Sequence, residues 1–346
     1  MKTKNLSFSI IIPTWNRKKL LQECINSVIQ MTDVEREFEI IICDSFSEDG
    51  TQDDLEKLLK DKYYSNLKVF QLNDNNICKK RNHGIKKSSY ENILLLDDDC
   101  VFIDNVLKNY EQYLTQFDDK YIFCGKYKTN SSLLRNSNYY RYRDFKNYNL
   151  NDSHPTKIDK NLKHINFYNI VTGNMAFKKS MILKKNIFFD ERIFGNAFED
   201  AEWGYRIMEN NLNIIQTDIE VLHNETSRNI INYKKKWYFA AKDVVPQIIV
   251  YNFNAAKKLP VYIFEERNKG ALISFLMVIF FILIKLKIIK LIDYFLQKTD
   301  KYSIFYSKFL FRLSIYSAYV QGKMDRDEKL LSSDDTKKGW YKKGYK

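Results

Sequence analysis

The amino-acid sequence predicts an α/β fold in which a doubly wound mixed sheet is followed by an α-helical C-terminal region. Two observations predict the sheet: short apolar runs alternate with segments of helical periodicity, and polar side chains follow the ends of those runs. A third observation sets the C-terminal region apart. Residues 1–230 carry 33 basic and 33 acidic side chains, whereas residues 231–346 carry the remaining 23 of 56 basic and 10 of 43 acidic ones, so the net charge of +13 is wholly C-terminal.

Strands and helices are expected to alternate through the first 100 residues. Apolar runs predict four buried strands, at Phe8–Pro13, Glu39–Asp44, Leu67–Leu72 and Asn92–Leu96. Helical spacing predicts a helix over Lys18–Met31, a polar helix ending near Lys60, and a third helix opening at Lys79. Because such alternation gives a mostly parallel sheet, the carboxyl ends of the strands are expected to share the edge where ligands bind.

The following segment, to residue 230, is less regular. A helix is expected over 104–117, one strand over 121–125 and another over 212–221. Residues 130–164 are rich in Asn, Tyr, Lys and Arg and are too polar for a core. They are interpreted as a long loop or flap near a ligand, with an ordinary surface insertion as the equal alternative.

Three adjacent carboxylates, Asp97, Asp98 and Asp99, follow the fourth predicted strand directly. Such carboxylates repel one another, and a hard divalent cation such as Mg²⁺ or Mn²⁺ among them offsets the repulsion. The natural companion of that cation is a phosphate. For the tripeptide alone, an acidic solvated turn is an equally good interpretation.

Other polar groups are predicted at the same edge of the sheet. Trp15 and Asp44 follow the first two strands, and Arg81 lies near the start of the third helix. An aromatic ring can stack on a base, a carboxylate can accept hydrogen bonds from base or ribose, and a guanidinium can pair with a diphosphate. Taken singly, each has an ordinary explanation: a packed aromatic, a helix cap and a surface charge.

Four segments, 9–17, 41–51, 80–84 and 96–99, resemble in order and spacing the motifs of family 2 glycosyltransferases, which have the GT-A fold. The resemblance covers roughly residues 7–225. It implies a Rossmann-like nucleotide-sugar-binding half over 1–100 and an acceptor-binding half over 101–230. It also implies a donor site, with a UDP-sugar as the expected donor, formed by Pro13, Thr14, Trp15, Arg17, Asp44, Arg81, Asp97 and Asp98.

One residue departs from the family pattern. Many members carry a second carboxylate where Ser45 stands, and in some of them it contacts the base. The choice of nucleotide therefore follows less directly from the resemblance than the fold does.

Further matches extend the resemblance towards the acceptor half. Segment 171–179 resembles the stretch that passes beneath the donor sugar, which adds Gly173 and Asn174 to the donor site. By resemblance Asp200 is the catalytic general base that takes a proton from the attacking hydroxyl. Glu199 beside it is the second catalytic residue, which binds the acceptor or holds the geometry, and Trp203 contacts the acceptor. The alternative for Glu199 and Asp200 is a pair of acids that stabilises a helix N-terminus.

The resemblance also predicts a Mn²⁺ or Mg²⁺ ion bound by Asp99, assisted by Asp97 or Asp98, with His223 reaching the metal or the diphosphate. A single histidine at a strand end is more often a structural residue, which is the alternative for His223. The implied reaction is a metal-dependent transfer in one displacement with inversion at the sugar.

The C-terminal region, residues 231–346, combines basic residues with an uncharged apolar run at 271–284. Nucleic acid is the less suitable partner, because basic residues beside an apolar stretch suit an anionic membrane surface better. The run has 14 residues, short of the roughly 20 that span a bilayer. It is expected to lie in the interface; insertion into one leaflet, burial against a helix at 301–322 and a tilted span are the alternatives.

The cysteines and the N-terminus bear on the compartment. Five cysteines form no CxxC pair and predict buried thiols of a reducing environment, at Cys24, Cys43, Cys78, Cys100 and Cys124. A zinc site or a disulfide framework is the lesser alternative. The first residues lead directly into a strand pattern rather than a signal peptide. The catalytic part is therefore expected at the cytoplasmic face of the inner membrane, bound peripherally or monotopically.

These observations together predict a hexosyl- or N-acetylhexosaminyltransferase that extends a glycan or a lipid-linked acceptor in bacterial capsule, O-antigen or exopolysaccharide synthesis. A nucleotidyltransferase is less suitable, because no Gly-rich, Lys-bearing loop follows the first strand. A catalytically silent membrane-associated scaffold of the same fold is the alternative from another functional class.

Overall fold

The computed structural model describes residues 5–152, 158–159, 162–195, 197–224, 229–265 and 270–326. The chain forms two compact units. The first comprises Met1–Asn130, Asn149–Glu191 and Trp203–Glu225, and the second comprises Ser131–Tyr148, Arg192–Glu202 and Thr226–Lys346. This division differs from the predicted boundary at 230, because segments 131–148 and 192–202 belong to the second unit, which resumes at Thr226.

The first unit contains one mixed sheet. The described part of the chain contributes ten strands: β1 Phe8–Thr14, β2 Phe38–Asp44, β3 Leu67–Gln71, β4 Asn92–Leu96, β5 Cys100–Phe102, β6 Tyr121–Thr129, β7 Ile158–Asp159, β8 Leu162–His164, β9 Asn174–Lys178 and β10 Asn213–His223. Their order is β3-β2-β1-β4-β9-β6-β10-β8-β7, with β5 paired to β10. The four predicted N-terminal strands are confirmed, each to within one residue at either end.

The sheet is parallel in its first half and mixed in its second. β1 pairs in parallel with β2 and β4, and β2 pairs in parallel with β3. β9 runs antiparallel to both β4 and β6, which are the strands on either side of it. The carboxyl ends of β1, β2 and β4 therefore lie at one edge, with Thr14 in register with Asp44.

Fourteen α-helices lie within the described residues: α1 Lys18–Met31, α2 Thr51–Lys60, α3 Ile77–Lys87, α4 Val106–Gln116, α5 Ser131–Asn136, α6 Asn138–Asp152, α7 Lys179–Lys185, α8 Glu199–Glu209, α9 Ile230–Phe239, α10 Val245–Tyr251, α11 Phe253–Lys258, α12 Ala271–Lys285, α13 Ile288–Lys298 and α14 Lys308–Met324. A π-helical turn, Ala240–Val244, joins α9 to α10. The C-terminal region is therefore helical, as predicted.

Close packing of α3 against β1 fixes the helix that carries Arg81. The Asn76 side chain caps α3 by accepting a hydrogen bond from the Lys79 amide at 3.1 Å. One turn beyond Arg81, a Cβ on Gly84 would lie 2.3 Å from the Ile11 side chain. Only glycine allows the helix so near the strand.

All five cysteines are buried and outside disulfides, as predicted.

Segment 131–148 is helical, and the expectation of a loop or flap there was wrong. α5 and the beginning of α6 occupy it, and Tyr139, Tyr140 and Tyr142 are buried in an aromatic cluster of the second unit. The Tyr142 ring stacks on Phe311 with centroids 5.0 Å apart. A polar composition misled the prediction because a tyrosine ring buries a large apolar area although it ends in a hydroxyl.

No single helix in the parts of the chain just described is long and apolar enough to cross a membrane. α12 and α13 pass that test only when taken together, and they are bent by 74° where they join.

Candidate active site

The carboxyl ends of β1 and β4 bury two of the three predicted carboxylates. Thr14 Oγ1 donates to Asp98 Oδ2 at 2.7 Å, and Arg17 Nη1 donates to Asp98 Oδ1 at 2.7 Å and to Asp99 Oδ2 at 2.8 Å. Asp98 and Asp99 are only 5% and 3% exposed. Burial raises the pKa of Asp98, with Arg17 opposing that rise and Asp99 adding to it. One guanidinium thus offsets the repulsion between two adjacent carboxylates.

Asp97 has a different environment, with 29% of its side chain exposed. It accepts hydrogen bonds from Arg81 Nη2 at 3.3 Å and from the Tyr127 hydroxyl at 2.9 Å. Its backbone amide donates to the Gly173 carbonyl at 3.2 Å. Asp97 is therefore the carboxylate of the three that solvent reaches most readily.

Gly173 makes this arrangement possible. A Cβ at this position would lie 2.1 Å from the Tyr127 hydroxyl and 2.2 Å from Asp97 Oδ2. Both distances are far below van der Waals contact, so any side chain at 173 would separate Tyr127 from Asp97. The segment predicted to pass beneath the donor sugar thus borders Asp97 directly.

His223, the last residue of β10, lies beside Asp99. Its Nε2 is 3.3 Å from Asp99 Oδ1, and its ring stacks on Tyr127 with centroids 4.6 Å apart. The pairing of β10 with β5 and β6 places it there, since it is in register with Cys100 and Thr129. The structure therefore brings together His223 and Asp99, two residues more than 120 positions apart in the sequence.

Sequence reasoning missed Tyr127. Burial and the neighbouring Asp97 raise the pKa of its hydroxyl well above the usual range, so the hydroxyl stays protonated and donates. No motif marks this residue, because it belongs to an ordinary strand, β6. Its contact with His223 arises when β6 pairs with β10, and its contact with Asp97 arises when β9 joins β6 to β4.

Lys80 was also missed, although it stands next to Arg81 in the matched motif. Its side chain is 3% exposed, and Nζ donates to the Thr14 carbonyl at 2.6 Å. Burial lowers its pKa to about 8, with Asp98 and Asp44 opposing. The lysine ties α3 to the end of β1 and brings a cation near the carboxylates.

A divalent cation has two suitable partners here. Asp99 and His223 supply an oxygen and an imidazole nitrogen side by side, a donor set that Mn²⁺ accepts. Asp97 is turned towards Arg81 and Tyr127 instead. In the described residues, no three His, Cys, Asp or Glu side chains are grouped as a metal site. The assignment of Asp99, Asp97 and His223 to a metal stays a prediction.

Two other predicted donor residues have fully engaged side chains. Asp44 is buried and accepts from the Ser47 amide at 3.0 Å and the Ser47 hydroxyl at 2.5 Å. Asn174 is buried, accepts from the Tyr110 hydroxyl at 2.8 Å and donates to the Ile219 carbonyl at 3.0 Å. These contacts hold a turn and join strands, so donor contacts of both side chains stay predictions. Pro13 is buried within β1, and Trp15 is half-buried just after it.

Trp203 is a core residue, which corrects the expectation that it contacts an acceptor. Its side chain is fully buried, its Nε1 donates to the Ile187 carbonyl at 2.9 Å, and its ring stacks on Phe189 at 4.2 Å. No ring surface is left for a ligand.

Glu199 and Asp200 open α8 and belong to the second unit. Glu199 is buried, whereas Asp200 is half-buried and its Oδ1 accepts from the Ala201 amide at 2.8 Å. Glu202, in the same first turn, accepts from Asn252 at 2.8 Å and so has a structural partner. The catalytic assignments of Glu199 and Asp200 stay predictions.

Known proteins share this sequence pattern. The glycosyl transferase family 2 model matches residues 9–184, about half of the chain. Poly(ribitol-phosphate) beta-N-acetylglucosaminyltransferase TarP of Staphylococcus aureus is 27% identical over 267 residues, 75% of each chain. The GalNAc(5)-diNAcBac-PP-undecaprenol beta-1,3-glucosyltransferase of Campylobacter jejuni is 35% identical over 108 residues, which are 30% of this chain and 33% of that protein.

Among solved structures, the crystal structure of S. aureus TarS 1–349 superposes with a TM-score of 0.50 at 16% identity, covering 92% of this chain and 90% of that one. This likeness shows the fold, which is the predicted GT-A type with a helical C-terminal region. The matched family model extends over the segments that form the Arg17, Asp98 and Asp99 cluster. The chain therefore belongs to glycosyl transferase family 2 and is a glycosyltransferase.

Proposed function

We propose that the protein transfers a sugar from a UDP-sugar to a hydroxyl group of a bacterial surface glycan, with inversion and with the help of a divalent cation. The observation that carries the proposal is the cluster of Arg17, Asp98, Asp99 and His223 at the carboxyl ends of β1, β4 and β10. Ligands bind at this edge of an open α/β sheet. The cluster holds the charges that a nucleoside diphosphate and its cation would meet.

The donor would lie along the exposed side of this cluster. Arg81 is 3% exposed and is held beneath Asp97, with its guanidinium 5.3 Å from the centre of the Phe189 ring. A diphosphate arriving there would find a guanidinium already fixed in position. Trp15, half-buried after β1, would offer its ring to the base.

Asp99 and His223 would hold the cation, and Asp97 would join them if its contacts with Arg81 and Tyr127 were exchanged. When bound, the cation supplies Lewis acidity for the leaving diphosphate. In the absence of the cation, Arg17 offsets the charges of Asp98 and Asp99. When the divalent cation binds, Asp99 would exchange its contact with Arg17 for one with the more highly charged ion. Asp200 would accept the proton of the attacking hydroxyl.

The acceptor is proposed to be a polyol-phosphate polymer. TarP, the relative that matches 75% of each chain, is named for poly(ribitol-phosphate) as its acceptor and for N-acetylglucosamine as the sugar. An anionic polymer suits the net charge of +13 that residues 231–346 carry. The lipid-linked oligosaccharide named for the Campylobacter enzyme is the second acceptor to test. We place the reaction at the cytoplasmic face of the plasma membrane, where nucleotide sugars are available.

The experiment is donor turnover by the purified protein with UDP-, GDP- and dTDP-sugars, in Mn²⁺, Mg²⁺ or EDTA. Poly(ribitol phosphate) and a lipid-linked oligosaccharide serve as acceptors. We expect UDP release that needs the cation and falls at least 100-fold in Asp99→Asn, because a ligand of the cation would be lost. The matched control is Asp53→Asn, an exposed carboxylate on α2.

Asp200→Asn tests the second part of the proposal. We expect it to retain donor binding while transfer falls, since it would remove only the base. Binding without turnover for any donor and acceptor would indicate a silent scaffold, and full activity in EDTA would overturn the role of the cation.

A further inference from the structure

α12 exposes an apolar face to its surroundings. Its inward face carries Ile273, Met277, Phe280 and Ile284, at helical spacing, and these side chains are buried or half-buried. Its outward face carries apolar residues at the same spacing, with exposed fractions of 62% for Phe275, 53% for Val278, 46% for Ile282 and, just beyond the helix, 64% for Leu286. A helix that is apolar on every side belongs in a core or in lipid, and only half of this one has a core.

The apolar exposure continues beyond α12. In α13, Ile289 and Leu296 are buried, while Leu291, Tyr294 and Phe295 are exposed. The chain that follows, up to the first turn of α14, exposes further large apolar side chains: Tyr302, Ile304, Phe305 and Phe309. We call residues 271–310 the α12–α13 surface. Exposed apolar residues on a soluble monomer are normally scattered singly, whereas this surface gathers many of them in one segment.

The charges on the α12–α13 surface have one sign where they are exposed. Six lysines are exposed: Lys285, Lys287, Lys290, Lys298, Lys301 and Lys308. Its two carboxylates are half-buried and engaged: Asp293 pairs with Lys234 and accepts from Ser314, and Asp300 accepts from the Tyr139 amide at 2.8 Å. An approaching partner would therefore meet apolar side chains and ammonium groups together.

We propose that the α12–α13 surface binds an anionic lipid bilayer, with α12 lying in the plane of the interface. Apolar side chains would enter the acyl boundary, and the lysines would meet lipid phosphates. A flat orientation follows from the ends of α12, since Lys269 precedes the helix in the sequence and Lys285 ends it. At about 1.5 Å per residue, its 15 residues reach about 22 Å, less than the roughly 30 Å hydrocarbon core.

A second copy of the chain is the competing occupant, and the charges disfavour it. In a two-fold dimer the same surface of each copy would face its partner. The six exposed lysines of one copy would then lie against those of the other, without exposed carboxylates to pair with them. An anionic membrane supplies the missing charge.

The test is flotation of the purified full chain with vesicles of phosphatidylcholine alone or with 30 mol% phosphatidylglycerol, without donor or acceptor. Because no turnover is measured, the result is independent of the proposed activity. We expect binding to anionic vesicles that falls at least tenfold in the double variant Phe275→Glu and Ile282→Glu. Val34→Glu, at a fully exposed apolar position of the first unit, is the matched control and is expected to float normally.

A second variant separates charge from apolar insertion. The triple change of Lys285, Lys287 and Lys290 to Gln is expected to weaken binding to anionic vesicles about tenfold and to reduce its salt dependence. The control replaces three exposed lysines of the first unit, Lys57, Lys60 and Lys62, with Gln. Equal losses in both triple variants would show that net charge alone acts, which would overturn the proposal.

Depth is measured with a fluorophore. Because all five native cysteines are buried, Phe275→Cys provides one reactive thiol for an environment-sensitive label. We expect a blue shift with anionic vesicles from this site and none from Val34→Cys. Absence of flotation by the wild-type chain would overturn the proposal. A sedimenting dimer that Phe275→Glu dissociates would also overturn it and would assign the surface to a second copy.

Discussion

The carboxyl ends of β1 and β4 and the α12–α13 surface depart from the usual distribution of side chains in opposite ways. The first buries charges: Arg81, Asp98 and Asp99 are each 5% exposed or less. The second exposes apolar side chains, Phe275 and Leu286 among them, on the outside of a helix. Both arrangements cost stability in water unless something compensates. In the first unit the compensation is internal, because each buried charge has a hydrogen-bonding partner.

Among the residues that the structure describes, the α12–α13 surface has no such internal compensation, which is why we assign its partner to the surroundings. The two regions are therefore expected to respond differently to substitution. Changes among the buried charges disturb a fixed network and are expected to act on catalysis. Changes on the outward face of α12 are expected to leave the folded protein unaffected in solution.

Gly173→Ala is expected to have the largest effect on the first region. The new methyl group would collide with Tyr127 and Asp97, at 2.1 and 2.2 Å, and push them apart. A displacement of about 1 Å in such a site costs about 100-fold in rate, and we expect at least that loss of transfer. Gly270→Ala is the control, since a Cβ there meets nothing within 4 Å. Normal transfer by Gly173→Ala would show that the contact between Tyr127 and Asp97 is dispensable.

Opposite faces of α12 provide the next prediction. Phe280→Ala, on the inward face, is expected to lower the free energy of unfolding by about 3–5 kcal/mol, because it leaves a cavity. Phe275→Ala, on the outward face, is expected to change it by less than about 0.5 kcal/mol. Urea unfolding of the two variants measures both values. A large loss in Phe275→Ala would mean that this side chain already has a partner within the protein.

The buried Lys80 is expected to make the free energy of unfolding depend on pH. Its pKa of about 8 lies below the ordinary value near 10.5, so the cost of burying its charge is complete below about pH 8 and disappears as the pH rises towards 10.5. This side chain therefore makes the free energy of unfolding rise with pH in that interval, by up to about 1.4 kcal/mol per unit. Lys80→Met removes that contribution.

The measurement for Lys80 is urea unfolding at pH 7 to 10. The slope against pH is compared with the wild type, because the substitution also changes packing. The exposed Lys60→Met is the control and is expected to keep the wild-type slope. Parallel slopes for wild type and Lys80→Met would show that Lys80 is not held as a buried cation.

The sequence predicted the parallel half of the sheet well because its strands are continuous apolar runs with both faces buried. β1, for example, is buried at every position, and such a run has few other interpretations. Trp15, Asp44 and the carboxylates Asp97–Asp99 could be placed at one edge because parallel strands end there, whereas Arg17 entered the predicted site only through the family resemblance. The resemblance to family 2 added His223, which spacing alone could not bring near Asp99.

What could not be predicted depends on contacts between distant segments. The tyrosines of α6 look like loop residues until Phe311 and Tyr233 pack against them. Trp203 has the sequence neighbours of a ligand-binding residue, and only its stacking on Phe189 shows that it belongs to the core. Burial is a property of the folded chain, and a local pattern predicts it only where the pattern is strong.

Tyr127→Phe makes the smallest change to the buried network and is expected to have the smallest effect. The substitution keeps the ring that stacks on His223 and removes only the hydroxyl that donates to Asp97 at 2.9 Å. Asp97 would remain fixed by Arg81 alone, so we expect transfer to fall about tenfold, the lower end for losing a supporting partner. The free energy of unfolding is expected to fall by only about 1 kcal/mol.

The control is Tyr121→Phe, in the same strand but half-buried elsewhere. If Asp97 contributes to holding the cation, Tyr127→Phe will also need a different Mn²⁺ concentration for half-maximal transfer. If the role of Tyr127 is purely structural, Tyr127→Phe will have a lower maximal rate but an unchanged Mn²⁺ requirement. Unchanged transfer in Tyr127→Phe would mean that Arg81 alone orients Asp97. Any loss of transfer in Gly173→Ala would then come from a shift in the backbone of the segment beneath the donor sugar. Comparing Gly173→Ala with Tyr127→Phe therefore shows which contact positions Asp97.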